Sequence, residues 1–133
     1  MFTEKEIAYL QSQPLARLAT VDQDGQPDNS AVGFRFDGQT ITIGGMAMAK
    51  TRKYKNVAAG NNKIAIIVDD LESVDPWKPR GIRIFGTAEA LDQGGSFGDG
   101  HLLRITPTIS WSWNVEGPSM IDGRFVPHRT VHQ

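Results

Sequence analysis

Residues 50–55 read Lys50-Thr51-Arg52-Lys53-Tyr54-Lys55, four cations and a hydroxyl in six positions. Cations at this density suit an anion, and a phosphate in particular, because Lys and Arg donate charge-assisted hydrogen bonds to phosphate oxygens. The preceding residues, Gly44-Gly45-Met46-Ala47-Met48-Ala49, follow a strand-like run and lead into a helical pattern. A helix start adds free N–H groups and partial positive charge, and Lys50 and Lys53 lie three apart, on one helical face. The spacing is one residue from the phosphate loop G-x-x-x-x-G-K-[ST], and Ile66-Ile67-Val68-Asp69 resembles a strand ending in a magnesium-binding carboxylate. A nucleoside triphosphatase is disfavoured all the same. Ala49 stands where that loop needs a glycine, and the fold around such loops is a parallel sheet, which the Asp-Gly hairpin signals described below oppose. A solvated basic helix face competes with the phosphate grip, and the charges alone do not choose between the two.

The rest of the chain carries little acid–base apparatus. There is no cysteine, which removes disulfides, thiol catalysis and thiolate metal sites. The serines lack a nucleophile-elbow context. His101 stands alone in a Gly-rich stretch and is expected in solvent. His128 and His132 are four apart, but Pro127 and an aperiodic surrounding argue against a helical metal site, so no metal is expected. Asp69, Asp70, Glu72 and Asp75 read as a solvated acidic loop. Tyr54 and Arg35 could each donate to a substrate carbonyl. Trp77, Trp111 and Trp113 suit either ring stacking or a core and interface role.

The elements that must position these groups are mostly strands. Thr3 and Glu6 have capping-box spacing, and Ile7 and Leu10 share a face, so residues 4–12 read as a helix that Pro14 ends. Three strand runs follow, Ala16–Asp22, Asn29–Phe36 and Thr40–Gly44, separated by Asp24-Gly25 and Asp37-Gly38. Asp-Gly between alternating segments is a strong hairpin signal. Val32, Phe34 and Phe36 share one face of their strand, and Ile41 and Ile43 one face of theirs. Residues 47–59 read as a helix with Gly60 as its C-cap. Lys63–Asp70 reads as a buried β-branched strand, residues 71–81 as a loop, Ile82–Leu91 as a strand facing inward at Ile82, Ile84, Gly86 and Ala88. Residues 92–100 read as a mobile Gly-rich loop and Leu102–Trp113 as a strand interrupted by Pro107. From Gly117 onward no periodicity is visible and a loosely held tail is expected.

The expected fold is therefore mainly β with short helices: a six-stranded, largely antiparallel β-barrel, closed or split, over residues 1–117, with an irregular tail over 118–133. A chain of 133 residues fits one domain. A formal net charge of −1 argues against a nucleic-acid partner bound through bulk electrostatics. No apolar run is long enough to cross a bilayer, and residues 1–6 do not read as a signal peptide, so a cytoplasmic location with no membrane partner is expected.

Taken in order, the Leu15–Val21 run, Asp24-Gly25-Gln26-Pro27, Val32-Gly33-Phe34, Lys53-Tyr54-Lys55-Asn56-Val57, Ile64–Asp70, Arg80–Ala88 and Ile109-Ser110-Trp111 make a series. It resembles the pyridoxamine 5′-phosphate oxidase-like split β-barrel superfamily, and more narrowly its actinobacterial branch that uses the deazaflavin coenzyme F420. The resemblance covers residues 2 to about 117. It implies a homodimer with two cofactor sites along the subunit interface. It further implies that Lys50, Thr51, Arg52 and Lys53 bind the cofactor phosphate and tail, with Asn56 supporting the helix. Ser30, Ala31 and Val32, with Thr42, Ile43 and Gly44, would line the deazaflavin ring. Trp77, Lys78 and Arg80 would approach from a loop, reaching the partner's site, and Trp111 and Trp113 would close the pocket. Asp28-Asn29-Ser30 departs from the apolar run usual in relatives. The implied activity is an F420-dependent oxidoreductase that passes hydride between reduced deazaflavin and a small conjugated substrate. Two alternatives remain: a non-catalytic flavin- or F420-binding protein of the same fold, and an oxidoreductase using flavin mononucleotide.

Overall fold

The computed structural model describes residues 1–133. Its first helix, α1 (Glu4–Ser12), starts as the sequence requires: the Thr3 hydroxyl accepts from the Glu6 N–H, and the Glu6 carboxylate accepts from the Thr3 N–H. Then come β1 (Leu15–Val21), β2 (Pro27–Gly33), β3 (Arg35–Phe36) and β4 (Ile41–Ile43). Gly25 and Gly38 take φ of 83° and 102° in the two Asp-Gly turns. In each turn the aspartate that directly follows the preceding strand gathers the loop N–H groups: Asp22 accepts from Asp24 and Gln26, and Asp37 from Gln39 and Thr40.

A 3₁₀ turn (Met48–Lys50) leads into α2 (Arg52–Ala58), after which β5 (Lys63–Ser73), β6 (Lys78–Leu91) and β7 (Leu102–Trp113) form a long antiparallel meander. The sheet order is β2-β1-β5-β6-β7-β4-β3. Since β2 and β3 are two halves of one extended segment broken at Phe34, the path starts and ends on the same stretch of chain. The sheet therefore curls back on itself as a split barrel. All six expected strands are present, the second divided by this bend.

The interior is filled by Leu18, Ile41, Ile43, Ile66, Val68, Ile82, Ile84, Leu103 and Ile105, each fully or almost fully buried. Gly86 lies where β7 carries one extra residue after Pro107; a Cβ there would meet the Thr106 carbonyl oxygen at 2.5 Å. This bulge, rather than an interruption, is what Pro107 marks. It turns Ser110 and Ser112 inward beyond it.

Three parts differ from the sequence reading. Residues 71–81 are not a loop: β5 and β6 extend through them to a tight turn at residues 74–77. Nor is β5 buried on both sides, because Ala65 and Ile67 face outward on a sheet that one chain leaves uncovered. The tail is ordered too. Met120–Ile121 (β8) and Arg124–Phe125 (β9) form a hairpin around Asp122-Gly123, both with positive φ, and His128–Val131 (β10) pairs with β7.

Buried polar groups lock that last strand. The fully buried Glu6 carboxylate accepts the Ser112 hydroxyl at 2.6 Å and lies 3.3 Å from His128 Nδ1. His132 Nε2 sits 2.8 Å from Ser110 Oγ and its ring packs on Phe2. Both histidines are thus structural partners of the barrel. On the other side of α1, the Tyr9 hydroxyl donates to Asp70 at 2.8 Å, and Arg80 grips the same carboxylate through Nε and Nη2.

The Arg80 guanidinium, and next the Tyr9 hydroxyl, hold the Asp70 carboxyl below the usual carboxylate range. Asp70→Asn should lower stability by about 1–3 kcal/mol at pH 7, the scale of charge-assisted hydrogen bonds. A group whose pKa falls on folding stabilises above its unfolded value, about 3.9, and loses that contribution as pH drops through the folded value. The difference between wild type and variant, read by urea denaturation, should therefore shrink below about pH 4. Burial pushes the His132 imidazole below its ordinary pKa. Unfolded chains take up that proton below about pH 6.5 while the folded chain resists, so melting temperature should decline between about pH 7 and pH 5. His132→Phe should flatten that decline.

Candidate functional site

The basic segment forms a rim at one end of the barrel. Thr51 is the N-cap of α2, with extended backbone (φ −79°, ψ 153°), and its hydroxyl accepts from the Tyr54 N–H while donating to the Met48 carbonyl at 2.7 Å. Its proton is committed, so Thr51 shapes the segment instead of donating to an anion. The cap also places Lys50 before the helix, in the 3₁₀ turn, so Lys50 and Lys53 do not share a helix face. The Asn56 amide donates to the buried Thr20 hydroxyl at 3.0 Å, tying α2 to β1. Gly60 follows the last helical turn with φ 108°.

None of Lys50, Arg52, Lys53 and Lys55 enters an ion pair, whereas Arg17, Arg80 and Arg104 each have a carboxylate partner. Four unneutralised cations on one rim are what a phosphate would require. One carboxylate approaches: Asp99 accepts from the Ala49 N–H at 3.0 Å and from the His101 N–H. These bonds, that from Ala49 first, hold its carboxyl below the usual range.

That contact corrects the picture of a mobile 92–100 loop. Gly98, at φ 63°, lies so close to the Gly45 backbone that a Cβ would overlap it. His101 is not in open solvent: its ring stands edge-on to Tyr54 at 5.3 Å, with Nδ1 buried and 3.4 Å from Asp99 but out of hydrogen-bond alignment. The sequence reading missed Asp99 because a Gly-rich stretch carries no periodicity.

The strands expected to line a ring divide by face. Val32 and Ile43 point into the core, so only their backbones are available. Thr42 and Gly44, with Gly33–Arg35 and residues 94–97, line a cleft of about 430 Å³ beneath the glycine loop. Ala31 faces outward. Ser30 Oγ is buried without any hydrogen-bond partner, an orphan of the kind a bound group or water satisfies.

Trp77, Lys78 and Arg80 lie elsewhere. The loop after α2 bonds to β6 at Ala88, where the Ala88 N–H meets the Asn62 carbonyl, so the rim and Arg80 stand roughly 25 Å apart along β6 at strand spacing. The three residues line a second cleft, of about 680 Å³, with Trp113 and the tail. Within one chain they cannot reach an anion held at Lys50–Lys53. Arg80 is in addition occupied by Asp70 and Glu72.

Trp111 belongs to neither cleft. It lies on the outer face of the sheet, edge-on to Phe85 at 5.1 Å, with the Arg83 guanidinium 4.4 Å above its ring. In register with it run Ile67, and one rung away Ala65, Phe85, Ile109 and Val131.

Comparison with known proteins agrees with this architecture. The family model described as pyridoxamine 5′-phosphate oxidase matches residues 2–128. A curated relative, the 5a,11a-dehydrotetracycline/5a,11a-dehydrooxytetracycline reductase of Streptomyces rimosus subsp. rimosus, is 43% identical over 122 residues, covering 87% of this chain and 85% of that one. Among solved structures, HupZ of Group A Streptococcus superposes with a TM-score of 0.69 at 24% identity, over 89% of this chain and 98% of that one. A protein titled F420 reductase superposes at 0.64 with 21% identity, over 82% and 98%. At these identities the two structures speak for the fold. With a family match that spans almost the whole split barrel and a relative this close, the chain belongs to the pyridoxamine 5′-phosphate oxidase family.

Proposed function

We propose that this protein is an oxidoreductase that uses a phosphate-bearing deazaflavin, coenzyme F420, to reduce an activated double bond in a conjugated substrate. The observation that carries the reading is the rim of four unpaired cations around the start of α2. The 43% identical relative is a reductase of a dehydrotetracycline, a conjugated polycyclic molecule, which supports both the reaction class and the kind of substrate.

The bound deazaflavin supplies the hydride. Lys50, Arg52 and Lys53 bind its phosphate, and Lys55 adds charge for an acidic tail. Thr51 and Asn56 hold the rim in place, the first by capping α2 and the second by anchoring it to β1. Thr42 and Gly44 offer a flat wall, and the glycine loop over them excludes water. Flavin mononucleotide would use the same cations, and a binding protein without turnover would use the same grip.

A second copy of the chain completes the site. Phe85 (41% exposed) and Val131 (50%), with Ile67, Ile109 and Trp111, make an apolar, aromatic outer face that a single chain leaves in water. Pairing two copies there would cover it. Only from the partner subunit could Trp77 and Lys78 approach the rim.

Titration of the purified protein with F420 and with flavin mononucleotide, followed by absorbance and fluorescence, tests the cofactor; binding of neither would sink the proposal. Lys53→Ala should weaken binding by about 1–3 kcal/mol with little change in the melting temperature of the free protein. Turnover is expected with reduced F420 and a dehydrotetracycline; tight binding without oxidation of reduced F420 would favour the carrier reading. Phe85→Glu should shift the sedimentation mass from dimer to monomer and abolish cofactor binding, while circular dichroism stays native.

A further inference from the structure

The turn between β6 and β7 carries the glycine loop, residues 92–100, and that loop is fastened to the basic rim at one polar point. Asp99 Oδ2 accepts from the Ala49 N–H at 3.0 Å, and Asp99 Oδ1 from the His101 N–H at 3.0 Å. The second bond is a local turn. The first joins residues 50 positions apart and lands on the residue before Lys50. No other hydrogen bond ties the loop to the segment 44–51. The remaining contact is backbone against backbone: Gly98, at φ 63°, lies so close to the Gly45 carbonyl that no side chain could stand between them.

The loop is otherwise self-contained. The Gly95 N–H donates to the Gly100 carbonyl at 3.0 Å, and the Gly100 N–H to the Phe97 carbonyl at 3.2 Å. Phe97 keeps 58% of its surface in water and does not anchor the tip in the core. A unit that bonds to itself and meets the barrel through one carboxylate and one glycine contact belongs to the least stable, most easily opened parts of a fold. Beneath it lies the cleft of about 430 Å³, which residues 94–97 wall off on the loop side.

Asp99 thus puts a carboxylate beside the rim that lacks one. Lys50, Arg52, Lys53 and Lys55 have no ion-pair partner, and the Ala49 bond brings the sole acid to their segment. A phosphate on Lys50 and its neighbours meets Asp99 as a like charge and offers the Ala49 N–H another acceptor. Such an anion binds the open loop better than the shut one, which is the condition for a ligand to shift an equilibrium of this kind. We propose that Asp99 is an anion-released latch: it holds the glycine loop shut over the cleft in the free protein, and phosphate arriving at the rim opens the loop to admit the rest of the ligand. The trigger rests on the phosphate-rim reading; the latch does not.

Hydrogen exchange of the full-length, ligand-free protein, followed by mass spectrometry, reads the latch. Asp99→Ala should speed exchange over residues 45–50 and 92–100 about tenfold, the scale of one lost hydrogen bond, with the strands and the melting temperature unchanged. Asp99→Asn keeps the acceptor oxygen and removes the charge. It should leave loop exchange near that of wild type and bind inorganic phosphate several-fold tighter by calorimetry. Phosphate added to wild type should slow exchange over residues 50–55 and speed it over 92–100, and sodium chloride at equal ionic strength should do neither. F420 association in stopped flow should be faster in Asp99→Ala than in Asp99→Asn, two variants of the same charge. Unchanged exchange in Asp99→Ala would overturn the latch, and equal association rates in the two variants would overturn its control of the cleft. Phosphate that protects residues 50–55 without loosening the loop, or an Asp99→Asn affinity equal to that of wild type, would overturn the trigger. Phosphate that protects nothing would overturn the rim reading and the trigger with it, while the exchange of Asp99→Ala still decides the latch.

Discussion

A sheet that closes on itself must fill its interior and stop both openings, and most of this molecule follows from that requirement. Closure arises because β2 and β3 are one extended segment bent at Phe34, so that the hydrogen-bonded path ends where it began. The interior takes the inward Ile, Leu and Val side chains. The openings take the two helices: α2 stops one end, tied to β1 by Asn56, and α1 stops the other, tied to the β5–β6 pair by Tyr9 and to β7 by Glu6. Neither helix is long enough to be stable alone; each is held by what it covers.

The two plugged ends acquire different chemistry from the chain that enters them. At the α2 end the plug is preceded by Lys50 and carries Arg52, Lys53 and Lys55, which the barrel wall gives no acidic partners. At the α1 end the polar groups are used up among themselves. Asp70 serves Tyr9 and Arg80, and Glu6 serves Thr3, Ser112 and His128. In a chain whose net charge is −1, the cations around the start of α2 stay without carboxylate partners, while Arg80 at the other end is shared between Asp70 and Glu72.

Much of the fold was legible because its signals are local. The capping box at Thr3 and Glu6, the Asp-Gly turns and the alternation of Ile82, Ile84, Gly86 and Ala88 each act within a few residues. The same rule at Asp122-Gly123 predicts the β8–β9 hairpin, and went unread because strands of two residues offer no alternation to frame it. The ordered loop at 92–100 was illegible for another reason. Its order comes from Asp99 bonding to Ala49 and from Gly98 lying against Gly45, contacts between segments about 50 positions apart.

For the site, the cations, their spacing and the helix they precede were readable in the chain, because residue type and capping are properties of a short stretch. The sequence could not determine that Thr51 spends its hydroxyl on Met48, that Val32 and Ile43 turn into the core, or that Arg80 is claimed by Asp70. Those outcomes depend on which side of a strand faces inward and on what stands opposite. The tertiary structure also decided the larger point: residues that the sequence suggests as one site stand at two ends of a barrel, roughly 25 Å apart by strand rise. An extended strand carries its two ends as far from each other as the chain allows, so neighbours in a motif series become opposite rims of one fold.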